Sequence, residues 1–338
     1  DLVVATQGRS FWILDDLPVL HQLNDQVNSA DYHLFKPERT YLFGRHSNIG
    51  PGETVGENPK DGVVVYYNLN SVPEGEIKLQ FLESDGRVIR TFSSEETLEG
   101  QKVKESEQFY EEEHNVPYDV LTKKQGNNLF EWNMRYPGAT DIDGRQILWA
   151  GSTAGPSAIP GTYEVRLIVD DEVVGSQTFE ITKDPRIETT QEDFQAQFDL
   201  HQTIIAKLDT THKTINRIRT VRDQINEVKT NYKDNTEIQE RADAMLKVLS
   251  KVEGALMQTK AESYQDVLNY PIKLNNKLAS LASTVATGDS RPTQQQLEVY
   301  LDLAEQVDDQ LEKVAPIFEG QLPDLIQEIE QRAIPIEN

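Results

Sequence analysis

The apolar positions of this 338-residue chain follow two rhythms, and the change falls near Thr189-Thr190. Before that point apolar residues come in short runs, or alternate singly, between turn residues; this is the period of strands. After it they recur about every 3.5 residues through long stretches with few breakers, the period of packed helices. Most of the Gly and Pro and all three Trp lie in the first part. The expected class is therefore multidomain, β and then α.

The chain opens with two apolar runs, Leu2-Val3-Val4-Ala5-Thr6 and Phe11-Trp12-Ile13-Leu14, around the turn Gln7-Gly8-Arg9-Ser10. This predicts a β-hairpin over 1–16. A lone hairpin is marginal in water, so this one is expected to close a larger β-domain lying before Asp1. Residues 17–61 read as a connector, helical or irregular over 18–26, with a short strand at 40–43 and a loop over 46–62. Strands then follow at 62–69, 76–83, 87–92, 128–135, 162–169 and 173–182. In the second, Ile77, Leu79 and Phe81 share a face; in the fourth, Phe130, Trp132 and Met134 do. Asp85-Gly86 and Asp170-Asp171-Glu172 supply turns. Together these predict one antiparallel β-sandwich of about seven strands over 62–186. An acidic insertion at 93–125 interrupts it, with Glu95, Glu96, Glu99, Glu105, Glu107, Glu111, Glu112 and Glu113 against few bases.

From 187 to 338 the pattern predicts an antiparallel four-helix bundle, because long helices with short connections pack against one another. Thr190 is a good N-cap, with Glu192 and Asp193 in the first turn where the helix dipole favours acids. Phe194, Phe198, Ile205, Leu208, Ile215, Ile218, Val221, Ile225, Val228 and Tyr232 then mark on the order of 60 Å of helix. A second helix follows Asn235, with Ile238, Ala242, Met245, Leu249, Val252 and Leu256 inward. A third opens at Tyr270-Pro271, carries Leu274, Leu278, Leu281 and Val285, and closes at Gly288. The fourth carries Leu297, Leu301, Ala304, Val307, Leu311 and Val314, and Pro316 and Pro323 should kink or break its end.

Charge and composition narrow the partners. A net charge of −24 repels nucleic-acid backbones and anionic membranes, so neither is an expected partner. No run approaches the ~20 apolar residues of a membrane span, and no insertion is expected. Cysteine is absent, which removes disulfides, thiolate metal sites and a Cys nucleophile from this segment.

Candidate chemistry is thin. Asp141-Ile142-Asp143-Gly144 begins like a Ca²⁺ loop but lacks the third acidic ligand and the closing Glu, so a Gly turn is the better reading. The Glu residues of the insertion lie along a run rather than converging, which favours a charged surface. His201 and His212 sit about three turns apart on one predicted helix and cannot share a metal. Ser152 and Ser157, in Gly151-Ser152-Thr153-Ala154-Gly155-Pro156-Ser157, lead on to a strand, whereas a nucleophile elbow leads to a helix. Paired carboxylates for glycoside hydrolysis are always available among 57 acids, and nothing singles out a pair. No catalytic residue, metal site or cofactor is therefore assigned. Of the aromatic residues, Trp132 reads as core and Trp12 as core of the missing domain. Trp149 is the ring placed to meet a ligand such as a glycan.

Several phrases, read in order, carry a resemblance. They are Leu2 to Asp16 (LVVATQGRSFWILDD), Gly56-Glu57-Asn58-Pro59 with Asp61-Gly62-Val63, and Phe130 to Gly138 (FEWNMRYPG). Pro160-Gly161-Thr162-Tyr163 and Lys183-Asp184-Pro185-Arg186 with Thr189-Thr190-Gln191 complete the set. Together they resemble the C-terminal region of bacterial sortilin-like, Asp-box-repeat β-propeller proteins often labelled glycosyl hydrolase. The resemblance implies a propeller first, ending in the hairpin, then an immunoglobulin-like sandwich, then a helical tail. It also implies export to the periplasm, cell surface or medium. No catalytic residue of that family falls on a position here. The expectation is a non-catalytic accessory module that braces the propeller, on its own chain or a propeller-bearing partner, and offers a helical surface to a protein or a second copy. The alternatives are an accessory part of a carbohydrate-active hydrolase whose catalytic groups lie on the propeller, and a peptide receptor in the manner of sortilin.

Overall fold

The computed structural model describes residues 1–14, 16–42, 60, 62–95, 120–142 and 147–333. Most of the expected loop over 46–62, most of the acidic insertion (96–119) and Asp143-Gly144 lie outside them. The chain divides into two compact units, Asp1–Pro137 with Ser157–Glu188, and Gly138–Pro156 with Thr189–Asn338.

In the first unit, β1 (Leu2–Ala5) and β2 (Phe11–Leu14) pair antiparallel as a separate two-stranded sheet, with Val4 opposite Trp12. The short helices α1 (Leu17–His21) and α2 (Asp25–Ser29) follow, the second capped by Asn24, whose side chain accepts from the Val27 N–H at 3.0 Å. The remaining strands are β3 (Tyr32–Leu34), β4 (Thr40–Leu42), β5 (Val63–Leu69), β6 (Ile77–Glu83), β7 (Val88–Ser93), β8 (Gly126–Trp132), β9 (Gly161–Val169) and β10 (Glu172–Lys183). They form a five-stranded sheet, β4-β10-β9-β6-β7, and a three-stranded sheet, β3-β5-β8.

Two features differ from the sequence expectation. The stretch read as a connector supplies β3 in addition to the expected strand at 40–43, which is β4, and β3, at three residues, is too short to show alternation. The pairing is also not wholly antiparallel, because β4 runs parallel to β10. Hairpins impose antiparallel pairing through their turns. Here the partners are far apart in sequence, so no turn fixes their direction.

The inner faces of the two sheets meet in an aromatic core. Phe81 of β6 stacks on Trp132 of β8 with ring centroids 4.5 Å apart. Phe92 and Phe179 meet Phe81 edge-on at 5.8 and 6.3 Å. Offset and edge-to-face pairs like these add about 0.5–1.5 kcal/mol each beyond area burial. The expected face of Phe130, Trp132 and Met134 is buried. However, the strand ends at Trp132, and Met134 takes a left-handed conformation with φ 58°. Asp170 and Asp171, at φ 49° and 64°, join β9 to β10, the double left-handed geometry that matches strand twist in a tight hairpin.

The second unit is built around α3 (Gln191–Asn231), α4 (Thr236–Leu256), α5 (Leu274–Val285), α6 (Gln294–Pro316) and α7 (Leu322–Ala333). Thr190 and Asp193 form a reciprocal capping box at the start of α3, and Thr293 and Gln296 do the same for α6. All five helices contribute to one hydrophobic core. The six residues expected inward on α4 are buried, as are the four on α5. The third helix starts later than expected: Tyr264–Leu268 forms a 3₁₀ turn, and regular helix resumes at Leu274.

On α6 the inward stripe agrees with the expected one at Val307, Leu311 and Val314 and departs from it in the first half of the helix. Leu303, Val307 and Val314 are buried and Tyr300 packs beside them, whereas Leu297 and Leu301 are 40% and 57% exposed. Both stripes have helical spacing, so periodicity could not choose between them. Pro316 does not break the chain's helical course. A π-helical stretch, Ile317–Gln321, links α6 to α7, and its wider turn accommodates the N–H that proline lacks. Pro323 follows directly on that stretch, at the second position of α7.

Candidate functional site

Trp149 lies on a loop that leaves the first unit after β8 and belongs to the helical one. The loop closes on itself, with the Ala139 N–H donating to the Thr153 carbonyl at 2.8 Å. It is held at both ends by α3 and α5. Near its start, Asp209 of α3 accepts from the Thr140 N–H at 2.9 Å and its hydroxyl at 2.6 Å. At the tip, Asn276 of α5, 2% exposed, accepts from the Leu148 N–H at 2.5 Å and donates to the Trp149 carbonyl at 3.3 Å. The Ser152 N–H donates to the Ala279 carbonyl at 3.2 Å.

Trp149 and Ala150 are consecutive left-handed residues, with φ 32° and 44°. Non-glycine residues in that region cost of order 1–3 kcal/mol each, and they persist only where surrounding contacts hold them. Asn276 supplies those contacts. Gly151 completes the seat, since a Cβ there would stand 2.5 Å from Ile147 Cγ2 and 2.9 Å from Ala279 Cβ. The indole is 38% exposed. This residue, expected to meet a ligand, is thus a half-open ring on a strained and firmly seated turn.

The two helical histidines are both buried on the inward face of α3. His212 donates through Nδ1 to the Thr140 carbonyl at 2.6 Å, because a carbonyl only accepts. Among the described residues its Nε2, a buried lone pair, has no partner, and neither has Oδ1 of Asn216 one turn later. Burial pushes the His212 pKa below the usual imidazole value. Among the described residues no group of three or more His, Cys, Asp and Glu side chains converges as a metal would need. The most buried carboxylate of the helical core, Glu253 of α4, is engaged by two arginines of α3. Arg219 Nε meets it at 3.0 Å, and Arg222 pairs with its other oxygen.

Ser152 Oγ accepts from the Ala154 N–H at 3.1 Å, and Ser157 pairs with Arg135 through an isolated backbone β-bridge. Sequence reasoning missed Asn276, because one Asn in an apolar helix carries no signal of what it will meet. It also missed Arg217 of α3, whose guanidinium lies 4.3 Å over the Phe318 ring. The only available hint was the Pro316, Gly320, Pro323 spacing around that ring.

The fold and these sites define a β unit followed by a helical unit, with an exposed aromatic turn and no assembled metal centre among the described residues. Among the described residues no helix is long and apolar enough to cross a membrane. No family model matches the chain, and no curated protein matches it. Among solved structures, one described as "pT26-6p" aligns at 13% identity over 75% of this chain and 46% of its own, with a TM-score of 0.15. A superposition that loose carries no argument about fold or function.

Proposed function

We propose that the chain is a non-catalytic accessory and interaction module of an exported bacterial β-propeller protein. On this reading the two packed sheets are an immunoglobulin-like sandwich that braces the propeller. The helices are a four-helix bundle that presents a surface to a protein partner or a second copy. One observation carries the proposal: Leu2, Val3, Val4, Phe11, Trp12, Ile13 and Leu14 of the opening hairpin are all exposed, Phe11 by 75%. An apolar two-stranded ribbon open on both faces is unstable in water by itself. Its composition is that of a blade edge awaiting its sheet.

Native mass measurement on the protein isolated from its source tests this. The particle should include a β-rich propeller, on the same polypeptide or on a second chain, with hairpin amides protected from exchange. A lone 338-residue monomer that protects its own hairpin would overturn the proposal. A second reading, glycan contact at Trp149 beside a hydrolytic propeller, is favoured by the strained display of that ring. It requires glycan-array binding that Trp149→Ala abolishes; an array without binding, or binding unchanged by the substitution, removes it.

A further inference from the structure

An open groove of about 340 Å³ runs between the middle of α3 and the C-terminal half of α6, ending on the π-helical stretch. One wall is mainly apolar, made of Leu311, Val314, Ala315 and Phe318, with the Glu319 carboxylate beside Phe318. The other carries Lys213 and Arg217. The two cations are not equivalent. Lys213 is neutralised by Asp209, with Nζ 2.7 Å from Oδ2. Arg217 has no carboxylate at ion-pairing distance among the described residues, in a chain with 57 acids and 33 bases. Its guanidinium carbon lies 4.3 Å from the centre of the Phe318 ring, and a single N–H reaches the Phe318 carbonyl at a long 3.4 Å.

That arrangement has a direct chemical consequence. A guanidinium packed over a ring keeps N–H groups for a further partner, and their fork matches the two oxygens of a carboxylate. The backbone that sets Phe318 in place is itself irregular, since Ile317–Gln321 is π-helical, a departure that recurs at ligand sites in helical proteins. The volume lies at the lower end of the range for small-molecule sites. The protein's overall negative charge opposes anion binding at long range. At physiological salt, however, charges beyond about 8 Å are screened, so the groove's own charges decide: Lys213 is taken up by Asp209, and Arg217 has Glu319 in the same lining but not at ion-pairing distance.

We infer that this groove binds a carboxylate carrying an apolar tail, the carboxylate on the N–H fork of Arg217 and the tail along Leu311, Val314 and Phe318. Two sources share that chemistry, a free medium-chain acid and the C-terminus of a peptide ending in apolar residues. The inference does not depend on the propeller reading.

The test uses the whole chain with labelled Leu and Val methyl groups, titrated in ~0.15 M salt with octanoate and with N-acetyl-Leu-Leu, each against its uncharged counterpart (octanol and the C-terminal amide). Octanoate, the acetylated dipeptide acid or both should shift the methyl signals of Leu311 and Val314. Each uncharged counterpart should bind at least ten-fold more weakly. Arg217→Gln should weaken the acids at least ten-fold and leave the uncharged probes unchanged, while Arg217→Lys should recover only part of the loss. Arg217 is exposed, so the substitutions leave the helical core intact, which unchanged methyl signals of Leu249 verify. Absence of shifts with both acids, shifts confined to other methyl groups, or equal binding by wild type and Arg217→Gln would each overturn the inference.

Discussion

Replacing Asn276 by Ala tests how the Trp149 turn is held. Asn276 is buried and makes two hydrogen bonds to the turn, one to the Leu148 N–H and one to the Trp149 carbonyl. Each is worth about 1 kcal/mol net, and leaving the buried Leu148 N–H without an acceptor costs about 1–3 kcal/mol. The total is on the order of 2–4 kcal/mol, comparable to the strain in the two left-handed residues that the bonds offset. The turn should therefore open locally while the helical core stays folded, since Leu249 and Leu278 on the surrounding helices remain fully buried. Amide hydrogen exchange separates these outcomes. At 1.4 kcal/mol per factor of ten, exchange at Leu148 and Ser152 should speed up about 30- to 800-fold, with α4 amides unchanged. Asn276→Asp keeps an acceptor for Leu148 but buries a carboxylate whose second oxygen would face the Trp149 carbonyl, so it should also open the turn and speed exchange at Ser152 at least ten-fold. Changes below three-fold at Leu148 in the Ala variant would refute the idea that Asn276 holds the turn. A uniform acceleration across α4 would refute the idea that the turn opens independently.

Three further outcomes follow from other parts of the structure. Glu253→Gln removes the charge that Arg219 and Arg222 share; because both arginines keep partial access to water, the loss should be about 2–3 kcal/mol in urea unfolding, below the full penalty of breaking a buried pair. His212 is held neutral in the folded chain, so the unfolded state binds more protons below pH ~6.5 and stability falls as pH drops through that range. That loss levels off only below the depressed folded value. His212→Gln should therefore show a smaller drop in urea midpoint between pH 7.5 and 5.5 than wild type, and equal drops would contradict the assignment. Trp12→Ser should leave the unfolding free energy of the isolated chain within about 0.5 kcal/mol, because the ring is already exposed. It should weaken any complex in which the hairpin is buried by at least ten-fold, read by native mass measurement.

Much of the β unit was legible from local chemistry. Ile77, Leu79 and Phe81 alternate, Asp85-Gly86 turns the chain, and the inner face this predicts is buried. The helical unit was legible wherever one apolar stripe dominated, as on α4 and α5. It was ambiguous on α6, where Leu297 and Leu301 share helical spacing with Leu303 and Val307, and only the neighbouring helices selected between them. The site residues were the least legible, because each acquires its meaning from a residue distant in sequence. Asn276 matters through Leu148 and Trp149, and Arg217 through Phe318.

By itself the sequence determined the change of rhythm near Thr189, the apolar hairpin at the start, and the helix cap at Thr190. Those features depend on neighbours within a few residues, whose geometry the backbone fixes. Tertiary structure alone decided that β4 pairs parallel with β10 and that 138–156 belongs to the helices. It also decided that Trp149 rests half-open on a left-handed turn. Those outcomes depend on contacts between segments far apart along the chain, and side-chain burial and hydrogen bonding select them only once the whole core has assembled.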